Sequence, residues 1–120
     1  MLIGLAGAVG TVARYGLGGL VQRFGSGGFP WGTLFVNLVG CLLFGVFVSV
    51  AEHRFQVEEH TRNMVLVGFM GAFTTFSTLA FHTGDYIRDN QWFMALANLS
   101  AHNIVGVACI LAGLYLGRVL

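Results

Sequence analysis

The residues GFMGAFTTFSTL, Gly68 to Leu79, decide how the chain is read. They lie in an apolar run from about Met64 to His82, long enough as a helix to cross most of a bilayer core of about 30 Å. Yet Thr74, Thr75, Ser77 and Thr78 crowd that run with hydroxyls. Threonine is stiff at its first side-chain torsion, and Ser and Thr hydroxyls compete for nearby backbone groups. Two readings stand side by side. The helix continues and its hydroxyls bond back to the preceding turn, or it is interrupted between about Gly71 and Thr78. Unwound backbone at that depth is tolerated only where it is buried or lines a cavity. Its free carbonyls suit a cation and its free N–H groups an anion.

Working outward, three further spans appear, from about Leu2 to Val21, Trp31 to Ala51 and Trp92 to Leu116. Their joins are Gly25 to Pro30, the charged stretch Glu52 to Arg62, and Gly84 to Asn90. Trp31, Trp92 and Tyr115 fall near span ends, where an aromatic belt sits. Of 120 residues, 56% are hydrophobic and 9% charged, against about a quarter charged in soluble domains. The expectation is an all-α integral membrane protein, residues 1–120 forming one transmembrane domain of four helices. The apolar start is read as the first helix and not as a removed leader. Six basic residues and a net charge of +1 build no basic face, so no nucleic acid partner is expected. Cys41 and Cys109 lie in apolar runs and read as small hydrophobes.

Orientation is nearly undecided. Arg54, Arg62 and Arg118 share a side with the N-terminus, and Arg23 and Arg88 lie opposite, so the positive-inside bias is slight. A single orientation remains open. So does insertion both ways, which lets two copies pair antiparallel about a two-fold axis. Small residues four apart, Ala6 and Gly10, Ala108 and Ala112, Gly113 and Gly117, suit the close backbone approach by which helices associate in lipid.

Polar groups inside spans are costly, and so they are informative. These are Arg14, Thr33, Asn37, Asn98, Ser100, His102 and Asn103, with the hydroxyls of the third span. No Asp or Glu lies in any span, which removes the group a proton-coupled cation exporter needs. Amides, hydroxyls and one guanidinium are donors, and a donor-lined cavity suits an anion. Taken alone, each has a plainer reading: Phe76 as core, Asn37 as an interhelical clamp, Arg14 as structural, His102 as packing. No nucleophile–base pair or metal-ligand spacing supports an enzyme.

Along nearly its whole length the chain resembles the Fluc-type fluoride channels of the CrcB family. The resemblance is carried by GAVGTVARYG in the first span, GTLFVNLVG in the second and GFMGAFTTFSTL in the third, with NLSAHNIVG a looser match. It implies a passive fluoride channel of the bacterial cytoplasmic (inner) membrane that protects the cell from fluoride toxicity. It implies a dual-topology antiparallel homodimer whose third helix is broken in mid-membrane. It also implies a structural Na+ at the dimer interface, held by carbonyls that map to Gly71 and Thr74. Phe76 maps to the first pore phenylalanine, and Asn37 to an amide donor, with Thr33, Ser77 and Thr78 as further donors. Arg14 maps near a vestibule. Two departures are visible. Leu79 stands at the family's second Phe position, and Ala72 replaces the second glycine of the break. Asn98 and His102 align with pore-facing positions of the fourth helix, where a wet His102 makes flux depend on pH. The alternative function is a small multidrug-type dual-topology exporter.

Overall fold

A computed structural model describes residues 1–120. The chain is helical with short joins and has five elements. These are α1, Leu2–Phe24; α2, Trp31–His53; α3, residues 59–73; α4, Phe76–Arg88; and α5, Trp92–Val119. Both α3 and α5 contain a wide π turn, Met64–Met70 and Ala101–Val105.

Three runs are long and apolar enough to cross a membrane: Trp31–His53, Glu59–Arg88 and Trp92–Val119. At 23 residues α1 matches α2 in length, but its glycines and Arg14 dilute its apolar character and it is not one of the three. Every helix runs past the end that hydropathy marks. The first reaches Phe24 instead of Val21, the second His53 instead of Ala51, and the last Val119 instead of Leu116. Polar residues at these ends keep helical geometry, because hydropathy registers the thickness of lipid and not the reach of backbone hydrogen bonding.

The joins follow local chemistry. Gly27 and Gly28 adopt φ of 80° and 70°, a region closed to most side chains, and turn the chain between α1 and α2. Gln22 pins this turn: its amide nitrogen Nε2 donates to the Phe29 carbonyl at 3.0 Å and its Oε1 accepts the Gly32 N–H at 2.9 Å. Asn90 makes the turn into α5 with φ of 58°, a conformation Asn tolerates better than most residues.

The helices meet through small residues. A Cβ on Gly45 would strike the Ile110 carbonyl, and one on Gly113 the Leu42 carbonyl, so α2 and α5 touch backbone to backbone. Likewise Gly10 abuts the Phe69 carbonyl, which brings α1 onto α3. Ala108 and Ala112 face outward instead. The apolar interior is small: Leu34, Val36, Met70, Phe73, Leu79 and Ala95 are its main members. Many large apolar side chains are exposed, while Asn37, Ser49, Thr83, Asn98 and His102 are buried. That inversion is what a lipid solvent selects.

Candidate functional site

The site is built where α3 gives way to α4. Thr74 (φ −93°, ψ 160°) and Thr75 (φ −151°, ψ 115°) are extended, between helical Gly71–Phe73 and Phe76–Arg88. Extended backbone needs partners, and Asn37 of α2 supplies them. Its Nδ2 donates to the Thr75 carbonyl at 3.0 Å, and its Oδ1 accepts the Thr75 N–H at 2.8 Å. One amide thereby satisfies both backbone polar groups of Thr75. Gly40, one turn on, makes room, since a Cβ there would strike Thr74 Cγ2.

The hydroxyls are spent locally. Thr74 Oγ1 donates back to the Met70 carbonyl at 2.9 Å. Thr75 is the N-cap of α4: its Oγ1 accepts the Thr78 N–H at 3.3 Å and donates to Thr78 Oγ1 at 3.1 Å. Ser77 Oγ lies 3.3 Å from Thr75 Oγ1. Because the Thr75 N–H goes to Asn37, the Gly71 carbonyl loses the partner a continuous helix would give it four residues on.

Two cavities flank this segment. The larger, about 920 Å³, is a vestibule whose walls include Arg14, Arg23, Thr33, Thr78 and His82. The smaller, about 330 Å³, is a groove whose walls include Asn37, Cys41, Phe44, Phe76, His102 and Asn103. Neither wall contains a carboxylate, and Thr75 borders both. The extended segment thus lies at the border of the two cavities. Two guanidiniums with no counter-charge make the vestibule electropositive, and a cleft of one sign concentrates the opposite ion.

The candidate residues divide between these spaces. Asn37, Thr74, Phe76, Leu79 and His102 line the groove, while Thr33, Thr78 and Arg14 line the vestibule. Ser77 lines neither, and its hydroxyl pairs with that of Thr75. Phe76 is 78% exposed on the single subunit, whereas Leu79 is 5% exposed and Asn98 fully buried. Asn98 lies behind the groove wall. Its Nδ2 donates to Thr83 Oγ1 at 3.1 Å, which donates to the Leu79 carbonyl at 2.8 Å. His102 is buried on the single subunit. Its Nδ1 lies 2.9 Å from the Asn98 carbonyl. A carbonyl only accepts, so Nδ1 carries a proton and donates it. The other ring nitrogen is Nε2. That Nε2 and Asn98 Oδ1 are buried without a partner.

Six groove residues escape the sequence reading, Gly40 and Ile110 among them. Thr75 appears there only as one hydroxyl among several, Cys41 as an inert hydrophobe, and Asn103 as a polar residue without a role. Phe44 is not singled out. Asn37, Gly40, Cys41 and Phe44 recur at i, i+3, i+4 and i+7. That spacing defines one face of α2 and was the signal available for Phe44.

A bundle of apolar helices with a donor-lined, carboxylate-free passage defines an anion-handling membrane protein. Residues 1–114 match the family model described as "CrcB-like protein, Camphor Resistance (CrcB)", and the chain belongs to that family. A protein of Desulforapulum autotrophicum is 47% identical over 120 residues, all of this chain and 96% of its own length. One of Nitrosococcus oceani is 46% identical over 118 residues, 98% of this chain and 94% of its own length. One of Solidesulfovibrio magneticus is 48% identical over 118 residues, with the same two shares, 98% and 94%. All three are named fluoride-specific ion channel FluC.

Proposed function

We propose that this chain is the subunit of a passive, fluoride-selective channel. The observation that carries the reading is the carboxylate-free passage bordered by Thr75, with arginines on one side and amides and an aromatic ring on the other. Fluoride holds water tightly, so a pore must replace that shell with dense donors and still release the ion. Asn37 has a second N–H beyond the one given to Thr75. Phe76 offers the positive edge of its ring. Arg14 gathers anions in the vestibule without entering the narrow part.

Four spans cross the membrane in this reading, α1 included, and Thr74 and Thr75 interrupt the third inside the bilayer. Support for that depth comes from the apolar flanks and from Asn37, which relieves the unwound peptide where water is absent. Two copies pair antiparallel in a bacterial cytoplasmic membrane, which supports efflux of fluoride before it poisons the cell. The open groove and the exposed Phe76 support a second copy as the missing wall. A structural Na+ fits the residues present. The Gly71 carbonyl has lost its helical partner, Gly71 is exposed on the subunit, and carbonyl oxygens suit a hard cation. Gly71 and Thr74 would hold it, and it would neutralise carbonyl dipoles turned towards the partner copy. No residue in this scheme performs catalysis.

The exporter alternative has no support: neither cavity wall offers a carboxylate to exchange a cation against protons. The test is an efflux assay on purified protein in liposomes, with fluoride and chloride in parallel. Fluoride should leave fast while chloride stays. Vesicles no leakier to fluoride than protein-free ones would overturn the proposal.

A further inference from the structure

The groove holds a second amide that the proposed function leaves without a role. Asn103 lies in the π turn Ala101–Val105 of α5, beside His102. Both residues line the groove with Asn37 and Phe76. Wide turns of this kind recur at functional sites. Asn103 is exposed on the subunit, next to exposed Ile104 and Val105, within a run apolar enough to cross a membrane. A half-bonded amide left against lipid at such a position is costly, so something polar must meet it.

The orientation of that amide is fixed. Its Nδ2 donates to the Leu99 carbonyl at 2.8 Å, its one hydrogen bond within the subunit. Turning the amide over would set Oδ1 against the Leu99 carbonyl, acceptor against acceptor. The nitrogen therefore stays where it is, with its second N–H unspent. No groove side chain takes it: Asn37 Oδ1 accepts from the Thr75 N–H, His102 Nε2 has no hydrogen-bond partner, and the groove has no carboxylate.

We propose that Asn103 donates this second N–H to fluoride in the groove, serving from α5 as Asn37 serves from α2. The inference rests on the fluoride reading of the site. It makes Asn103 a specificity-determining residue, because each short donor that replaces a lost water favours the smallest and most strongly hydrated halide.

Asn103→Asp, Asn103→Leu and Asn103→Ser separate donor from shape. Aspartate keeps the outline and loses both N–H groups, leucine loses all polarity, and serine keeps one donor. Each variant is reconstituted in liposomes for fluoride and chloride efflux and sized for its oligomeric state. Fluoride flux should fall about tenfold or more in the Asp and Leu variants and stay within about threefold in the Ser variant, the loss a hydrogen bond to a charged group brings. Oligomeric state should not change. Wild-type flux in the Asp or Leu variant overturns the inference. So does equal loss in all three, and so does loss that follows dissociation of the oligomer, since the amide then joins two copies. Where Leu and Asp prevent folding, Asn103→Ala decides: the fluoride concentration at half-maximal flux should rise about tenfold, and an unchanged value overturns the inference. A wild-type protein that leaks no fluoride at all would instead bring down the functional reading beneath it.

Discussion

Replacing Asn37 by Ala should cost more than a conduction residue normally does, because the amide supports the backbone it lies beside. The substitution removes a donor 3.0 Å from the Thr75 carbonyl and an acceptor 2.8 Å from the Thr75 N–H. Asn37 is 9% exposed, so little water replaces it. Each stranded backbone group costs about 1–3 kcal/mol, giving about 2–6 kcal/mol for the pair, and apolar surroundings push towards the upper end. Asn37→Asp discriminates further. It keeps an acceptor for the Thr75 N–H, strands the carbonyl and brings in a charge that repels an anion. The assay is reversible unfolding in mixed micelles with SDS as denaturant, alongside fluoride efflux. Asn37→Ala should lose at least about 2 kcal/mol and about a hundredfold in flux. As a control, Thr11→Val removes an exposed hydroxyl that bonds back to the Gly7 carbonyl at 2.9 Å and should stay within about 0.5 kcal/mol of wild type. Asn37→Ala within that same margin would refute the reasoning, because the Thr75 peptide would then have other partners.

Two perturbations test the rest of the passage. Phe76→Ile keeps bulk and removes the ring edge. Phe76 is 78% exposed on the subunit, so folding should be untouched while fluoride efflux falls about tenfold; unchanged efflux removes Phe76 from the path. Arg14→Gln should slow fluoride entry severalfold in about 0.01 M salt and far less in about 1 M salt, where screening shortens the Debye length from about 30 Å to about 3 Å. An effect equal at both salt levels would make Arg14 a packing residue.

The parts of this fold that were legible in the sequence are those set by local composition. The runs around α2 and α5 announce themselves by length and apolarity, and the Gly and Asn turns by backbone freedom. The hydroxyl cluster marks the segment where α3 ends. Which residues leave the helix was not legible, because the choice is made at a distance. Thr75 becomes extended where Asn37, 38 positions away in sequence, takes up its peptide and where Gly40 leaves space for Thr74. Ser77 and Thr78 carry hydroxyls like Thr75 and stay helical in the first turn of α4, which Thr75 caps. Nor could spacing separate Thr33, which faces the vestibule, from Asn37, which faces the groove. They are four apart on one helix, and the Thr75 peptide divides the two spaces.

The position of Thr75 explains why this arrangement tolerates so much polarity. A row of free amides in lipid would be ruinous, and a row of fully satisfied ones would have nothing left to offer an ion. Asn37 stands between these limits: two contacts hold the peptide, and one N–H remains. Thr75 spends its hydroxyl on capping α4 and keeps its backbone rigid. His102 uses its Nδ1 proton on the Asn98 carbonyl. The donors left over are few and neutral, and the amides that carry them are held by hydrogen bonds to backbone. Such a passage favours an anion without a fixed positive charge in its narrowest part, where an arginine would bind fluoride too firmly to release it. The guanidiniums of Arg14 and Arg23 line the vestibule and not the groove.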